Sequence, residues 1–335
     1  MISAIFGLSG LVLTDDERAF FRDSDPAGYI LFGRNIADRA QLRALTDSLR
    51  DLHGRNDLPI LIDQEGGRVS RMKPPEWLAF PAGGEFDRLY DVAPASAIEA
   101  ARANAEALAL DLAEVGITVD CLPLLDVRQP DGTNAIGDRA LGSEPLRVAA
   151  LGRAVLDGLA RGGVLGTIKH MPGHGRARVD SHMELPRVSA SDAELESDLA
   201  PFRALSDAPI GMTGHILFEA WDSEKCATHS AHVIQSIIRE RIGFDGLLLS
   251  DDLDMKALQG DVPSRAHDAI AAGCDIALNC WARMDEMIGI AGCLPPMRAE
   301  TRARLDRVCA AIGVQPDVSR QAELIAKRDA LLALA

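Results

Sequence analysis

Between Lys169 and His182 the chain reads KHMPGHGRARVDSH, which sets a lysine, three histidines and an aspartate around two glycines. The run Gly166–Thr167–Ile168 just before it reads as the end of a buried strand, so titratable side chains arrive abruptly where a strand hands over to a loop. Burying an unpaired ionisable group is costly, so such a cluster is expected to bind or transform something. Two chemistries are open. His170, His174 and His182 with an aspartate have the donor types of a zinc site, which points to a metal-dependent hydrolase that would also draw on His215. Pro172 and Gly173 break any helix that would put His170 and His174 on one face, which counts against it. The other chemistry uses Asp180–Ser–His182, where the aspartate orients the imidazole and raises its basicity for acid–base work. This second reading is preferred, with no metal and no cofactor. His174 is expected to be a structural, hydrogen-bonding histidine.

Three further segments carry similar residue types. Asp63–Gln–Glu–Gly–Gly–Arg–Val–Ser–Arg71 turns on two glycines flanked by two carboxylates and two guanidiniums. An aspartate beside an arginine fork is a common way to hold a polyol, the alternative being an ion-paired loop that only stitches elements together. Asn134–Ala–Ile–Gly–Asp–Arg139 ends in an arginine that either lies on the surface or reaches over to a substrate. Asp251 and Asp252 close the run Leu247–Leu248–Leu249–Ser250. Successive strand side chains point to opposite faces, so one of the two aspartates is expected to face a pocket while the other caps or pairs locally.

These residues need a frame that brings them together. Eight apolar runs read as strands: Ile2–Gly7, Gly28–Phe32, Pro59–Asp63, Ile117–Leu122, Gly166–His170, Gly211–His215, Leu247–Asp251 and Ile276–Asn279. Helical segments alternate with them, one opened by a capping box at Ser96–x–x–Glu99, another by Ser191–x–x–Glu194, and one with Pro145 near its start. No early strand is followed by GxGxxG, which disfavours a doubly wound sheet. The expected fold is a single-domain α/β chain over residues 1–335, a (β/α)8 TIM-type barrel. The polar residues then fall at the carboxyl ends of the strands, including Arg34, Asn35, Glu65, Asp126 and His215, and converge on one mouth.

The bulk composition narrows the partners. With 335 residues, 47% hydrophobic, and a net charge of −15, the chain is an ordinary globular protein without the basic surface that nucleic acid requires. The apolar N-terminus lacks a basic leader region and reads as a first strand, and no run is long enough to span a bilayer. Six scattered cysteines with no CxxC pair suit a reducing compartment. A cytoplasmic monomer acting on a small molecule, away from membranes and nucleic acid, is expected.

As an ordered set, Asp63–Gln–Glu–Gly–Gly–Arg–Val–x–Arg71, Asn134–Ala–Ile–Gly–Asp–Arg139, Lys169–His–x–Pro–Gly–His–Gly175, Asp180–Ser–His182 and Ser250–Asp–Asp–Leu253 resemble the β-N-acetylhexosaminidases of glycoside hydrolase family 3. More narrowly, the chain resembles their single-domain, cytoplasmic bacterial members, which act in peptidoglycan recycling, and the resemblance covers essentially its whole length. It implies a carbohydrate substrate drawn from muropeptides and a retaining double displacement. Asp251 would be the nucleophile and His182 the proton donor and acceptor with Asp180 as its partner, while Asp63, Arg71, Arg139, Lys169 and His170 would hold the sugar. The chain departs from the family pattern at Met171, where an aromatic is usual, and at Arg176–Ala177, where an acidic or small pair is usual. Those departures bear on loop mobility and aglycone preference.

Overall fold

The computed structural model describes residues 1–313 and 317–335. Eight parallel strands close into a barrel: β1 (Ile2–Gly7), β2 (Pro26–Leu31), β3 (Ile60–Ile62), β4 (Val119–Asp120), β5 (Leu165–Met171), β7 (Ile210–Thr213), β9 (Leu247–Asp252) and β10 (Ile276–Asn279), with β10 pairing back onto β1. Between them β6 (Arg187–Val188) and β8 (Leu217–Phe218) form a small separate parallel pair. The period of two along each strand sorts the side chains into two cores. Ile5, Ile30, Leu61, Leu247 and Leu249 point inward and fill the barrel. Phe6, Leu31, Ile62 and Leu248 point outward and pack under the helical ring. No helix among the described residues is long and apolar enough to cross a membrane, and all six cysteines are free thiols.

The expected strands are all present, the first and last with the expected bounds and the other six with shifted ends. The fourth shrinks from the expected Ile117–Leu122 to two residues. Side chains supplement its backbone ladder: Ile60 N–H donates to Thr118 Oγ1 at 2.8 Å and Gln64 N–H to Asp120 Oδ1 at 3.0 Å, and Pro123 offers no N–H of its own. Sequence reading missed the β6–β8 pair, because two-residue strands leave no periodic signal.

The helix starts were partly legible. Ser191 and Glu194 do form a capping box on the helix Asp192–Ala204, and Pro145 opens Pro145–Arg161. The box expected at Ser96 and Glu99 does not form. That helix begins earlier, at Pro94, and spans 21 residues to Glu114, since proline with its fixed φ is a better first helical residue than an interior serine is a cap. Glu99 instead pairs with Lys327 at 2.6 Å and with Arg102.

Candidate active site

The carboxyl ends of β3, β5 and β9 deliver Asp63, Lys169, His170, Asp251 and Asp252 to one cavity of about 230 Å³, which Glu65, Arg71, Arg139, His174, Asp180 and His182 also line. The eight residues to which the family resemblance gives a role therefore border the same space, whereas Arg34, Asn35, Asp126 and His215, also expected at the mouth, do not line it.

One wall is a charge network. Lys169, 3% exposed at its side chain, lies 3.0 Å from Asp63 Oδ1 and 2.7 Å from Glu65 Oε1. Arg139 forks onto both oxygens of Glu65 at 2.8 Å. Arg71 donates to Asp63 Oδ2 at 3.1 Å and stacks over the Phe32 ring. The backbone makes this possible by turning at Gly66, where φ is +90° and a Cβ would sit 2.2 Å from the Pro81 carbonyl oxygen. Gln64 then ties the returning strand, its Oε1 accepting the N–H groups of Arg71 and Met72 at 2.8 and 3.0 Å. Burial by itself would raise the Asp63 carboxyl, but Lys169 and Arg71 outweigh it and hold it well below the usual carboxylate range. Burial would lower the Lys169 ammonium, yet Glu65 and Asp63 hold it above the ordinary lysine range. Two carboxylates thus face three cations, and the surroundings of Asp63, Glu65, Lys169 and Arg139 all favour the charged form.

The opposite wall holds Asp251. Its Oδ1 accepts the Asp252 N–H at 2.8 Å. Desolvation would raise its carboxyl, but His170, His215, the Asp252 N–H and Lys169 together bring it below the usual value. Asp252 borders the cavity too, yet its Oδ1 accepts the backbone N–H groups of Asp254 and Cys280 at 3.2 and 3.3 Å. The expected division of labour between the two aspartates is what these contacts allow. His170 is oriented from behind, its Nδ1–H donating to Asp126 Oδ2 at 2.8 Å. Asp126 Oδ1 also accepts the backbone N–H of His174 at 2.6 Å. Fully buried, Asp126 sets both the ring and the start of the loop that follows.

That loop carries Asp180 and His182. The Asp180 Oδ1 accepts both the backbone N–H and the Nδ1–H of His182, at 2.9 and 2.8 Å, which leaves Nε2 as the ring nitrogen without a partner. Burial would push the Asp180 carboxyl up, but these two His182 groups hold it below its usual value. The His182 side chain is 68% exposed. Met171, one departure from the family pattern, is fully buried in the outer core.

The histidines are not arranged as metal ligands. His215 Nε2–H donates to the Asp252 carbonyl at 3.0 Å, so its Nδ1 accepts from Thr228 Oγ1 at 2.7 Å; burial pushes this ring down to about 4. His174 Nε2 meets Ser181 Oγ at 3.2 Å, in the structural role expected of it, and burial followed by the nearby His170 pushes it down to about 4. Among the described residues no three His, Cys, Asp or Glu side chains are grouped to hold an ion.

Sequence reading left Glu65 and Asp126 without a role in the site. Glu65 was within reach of the argument, because it lies two residues beyond Asp63 and such residues share a face of an extended segment. Arg34 and Asn35, also at a strand end, serve the backbone instead: Arg34 donates to the Leu8 carbonyl at 2.7 Å and Asn35 to those of Leu8 and Gly10.

Residues 8–310 match the family model of the glycosyl hydrolase family 3 N-terminal domain. The chain is 37% identical over 280 residues to a β-hexosaminidase of Bordetella avium, covering 82% of this chain and 79% of the relative. It is 38% identical over 281 residues to a β-hexosaminidase of Alkalilimnicola ehrlichii, covering 82% and 80%. Among solved structures it is similar to NagZ from Neisseria gonorrhoeae in complex with N-trifluoroacetyl-D-glucosamine, with a TM-score of 0.88, 32% identity, and coverage of 99% of this chain and 98% of the other.

Proposed function

This chain belongs to glycosyl hydrolase family 3, and from that premise we propose that it is a retaining exo-β-N-acetylglucosaminidase. It is a glycoside hydrolase of the β-N-acetylhexosaminidase type. Its proposed substrates are peptidoglycan fragments in which a terminal non-reducing GlcNAc is β-linked to 1,6-anhydro-MurNAc, with or without peptide, and its proposed place of action is the cytoplasm. The observation that carries this reading is the shared cavity: the Asp251 carboxylate and the Asp180–His182 pair border the same space as Asp63, Arg71 and Lys169. At about 230 Å³ that space is smaller than the ~300–1,000 Å³ of pockets for larger ligands, which favours one sugar ring and hence release of terminal residues. Every group in the scheme comes from one chain, so a monomer suffices.

In the first step Asp251, whose carboxyl its surroundings hold below the usual value, attacks the anomeric carbon. His182 Nε2–H gives its proton to the departing glycosidic oxygen, and Asp180 stabilises the geometry through Nδ1. The sugar is then an ester of Asp251. In the second step neutral His182 takes a proton from water, the water oxygen attacks the same carbon, and the Asp251 carboxylate leaves, restoring the β-configuration. Asp63 and Arg71 are placed to bind ring hydroxyls, while Lys169, His170 and Arg139 complete or brace that wall. A histidine acid also places no negative charge against an anionic muramic-acid leaving group. The metallohydrolase alternative has no comparable support, since among the described residues no three His, Cys, Asp or Glu side chains are grouped to hold an ion.

The test is a leaving-group comparison. His182→Ala should lower kcat/KM on GlcNAc–anhydro-MurNAc by ~10²–10⁴-fold, but by less than ~10-fold on the 2,4-dinitrophenyl glycoside, whose leaving group needs little protonation. Equal losses on both would remove His182 from the acid role. Failure of the wild type to release GlcNAc from the disaccharide would sink the peptidoglycan reading.

A second expectation concerns the root of the loop. A Cβ on Gly175 would lie 1.9 Å from the Val127 carbonyl oxygen, so Gly175→Ala must move one backbone or the other. Displacing the dyad by ~1 Å is expected to cost ~10²-fold in kcat/KM on the disaccharide. Steady-state kinetics with near-native rates would show that the loop root tolerates the shift.

A further inference from the structure

The loop bearing Asp180 and His182 follows β5, which ends at Met171, and carries His182 with its side chain exposed at the cavity, so its position depends on how it is tied down. One tie is Ser181 itself, buried between the two dyad members, with its Oγ 3.2 Å from His174 Nε2 and its carbonyl accepting the Ala257 N–H at 3.2 Å. A second is the buried Ala177, whose carbonyl accepts the Thr133 N–H at 2.7 Å, and a third lies beside it at the foot of the loop. Arg176 Nε donates to Asp198 Oδ2 at 2.5 Å, and its Nη2 donates to the Glu194 carbonyl and Ser197 Oγ at 3.1 and 3.2 Å. All three acceptors sit on the helix Asp192–Ala204, which the Ser191–Glu194 box starts rigidly.

This ion pair differs from the other cation of the loop. Arg178 meets Asp131 with both side chains more than half exposed, where screening and side-chain entropy leave little net effect. The Asp198 side chain is only 3% exposed and that of Arg176 23%. Among the described residues Asp198 Oδ1 has no partner, and Arg176 pairs with this buried carboxylate. The planar fork spans three acceptors at fixed angles, which a lysine ammonium cannot do. Gly173 brings the same stretch of loop against the helix, its φ of +138° placing a hypothetical Cβ 3.2 Å from that of Asp198.

We propose that Arg176 is a positioning residue for the acid–base dyad: its fork onto the helix Asp192–Ala204 fixes the loop root so that His182 Nε2 meets the glycosidic oxygen. The proposal rests on the reading of His182 as acid–base group. It also gives the chain's departure from the family pattern at this position a physical role.

The experiment compares Arg176→Ala, Arg176→Lys and the double variant Arg176→Met/Asp198→Leu with wild type and His182→Ala. Each is assayed for kcat/KM on GlcNAc–anhydro-MurNAc and on the 2,4-dinitrophenyl glycoside, with melting temperatures alongside. A misplaced acid predicts a loss of ~10–100-fold on the disaccharide and less than ~3-fold on the activated glycoside, in both Arg176→Ala and the double variant. Arg176→Lys should fall between these and wild type. The double variant removes both charges and so recovers melting temperature, but its leaving-group dependence should persist. Equal losses on the two substrates, or disaccharide activity that returns with the melting temperature, would overturn the positioning role while leaving His182 in place. If His182→Ala itself shows no leaving-group dependence, both readings fall together.

Discussion

Asp251→Ala is expected to lose on the order of 10⁴-fold or more in kcat/KM on every β-N-acetylglucosaminide, good leaving group or poor, because in the proposed scheme it removes the attacking atom itself. Its fold should survive: the lost contact is one hydrogen bond from the Asp252 N–H at 2.8 Å, and the neighbouring charge network stays intact. The wild-type carboxylate, lowered by His170, His215, the Asp252 N–H and Lys169 against its own desolvation, should stay ionised below the usual carboxylate range. The acid limb of kcat/KM assigned to the nucleophile therefore lies below that of an ordinary aspartate. A fluorinated glycoside with a good leaving group should leave a sugar ester on the peptide containing Asp251. The competing mechanism, attack by the substrate's own acetamido oxygen, leaves no such adduct. Absence of the ester, or a loss in Asp251→Ala of less than ~10²-fold, would take the nucleophile away from this residue.

Lys169→Met carries the second large effect, and it falls on stability as well as on sugar binding. Lys169 is 3% exposed and sits between Asp63 and Glu65 at 3.0 and 2.7 Å. Removing one partner from a buried ionic cluster leaves uncompensated charge, at a cost of about 3–5 kcal/mol. The sign with pH follows from the carboxylates. In the wild type both titrate below their unfolded values, so they contribute stability that is present above ~pH 4 and is lost as pH falls through their folded values. Without Lys169 their burial opposes ionisation more strongly, the folded values rise towards or past the unfolded ones, and the stability gained on raising the pH from ~3 to ~5 should disappear. Urea unfolding across pH 3–7 measures this. A variant within ~1 kcal/mol of wild type, with the same rise between pH 3 and 5, would mean that the cluster is not held together by the ammonium.

The site was legible from the sequence to a considerable depth, because chemistry-bearing residues gather at strand ends where hydrophobic periodicity stops. Leu247–Leu248–Leu249 announces a strand, and the two aspartates that follow announce its mouth. Asp180–Ser–His182 is readable as a hydrogen-bonded pair because a two-residue spacing in a turn brings the side chains together, as the 2.8 Å contact shows. Glu65 and Asp126 escaped assignment for different reasons. Glu65 looked like a spare carboxylate in a turn, and only the arrival of Lys169 and Arg139 from distant segments makes it the centre of a network. Asp126 follows a strand of two residues, and a loop so irregular has no period from which to read a direction.

By itself, then, the order of residues determined the alternation of strands and helices, the barrel class, and which side chain types stand at each strand end, because backbone propensity and burial act over short stretches of chain. Tertiary structure alone decided the partnerships. Lys169 meets Asp63 across 106 positions of sequence, and Arg139 meets Glu65 across 74. Arg176 finds its acceptors on the next helix rather than on its own loop. The physical reason is that ionic and hydrogen-bonding energies depend on distances of a few ångströms and on burial. Neither quantity is defined until the barrel has closed.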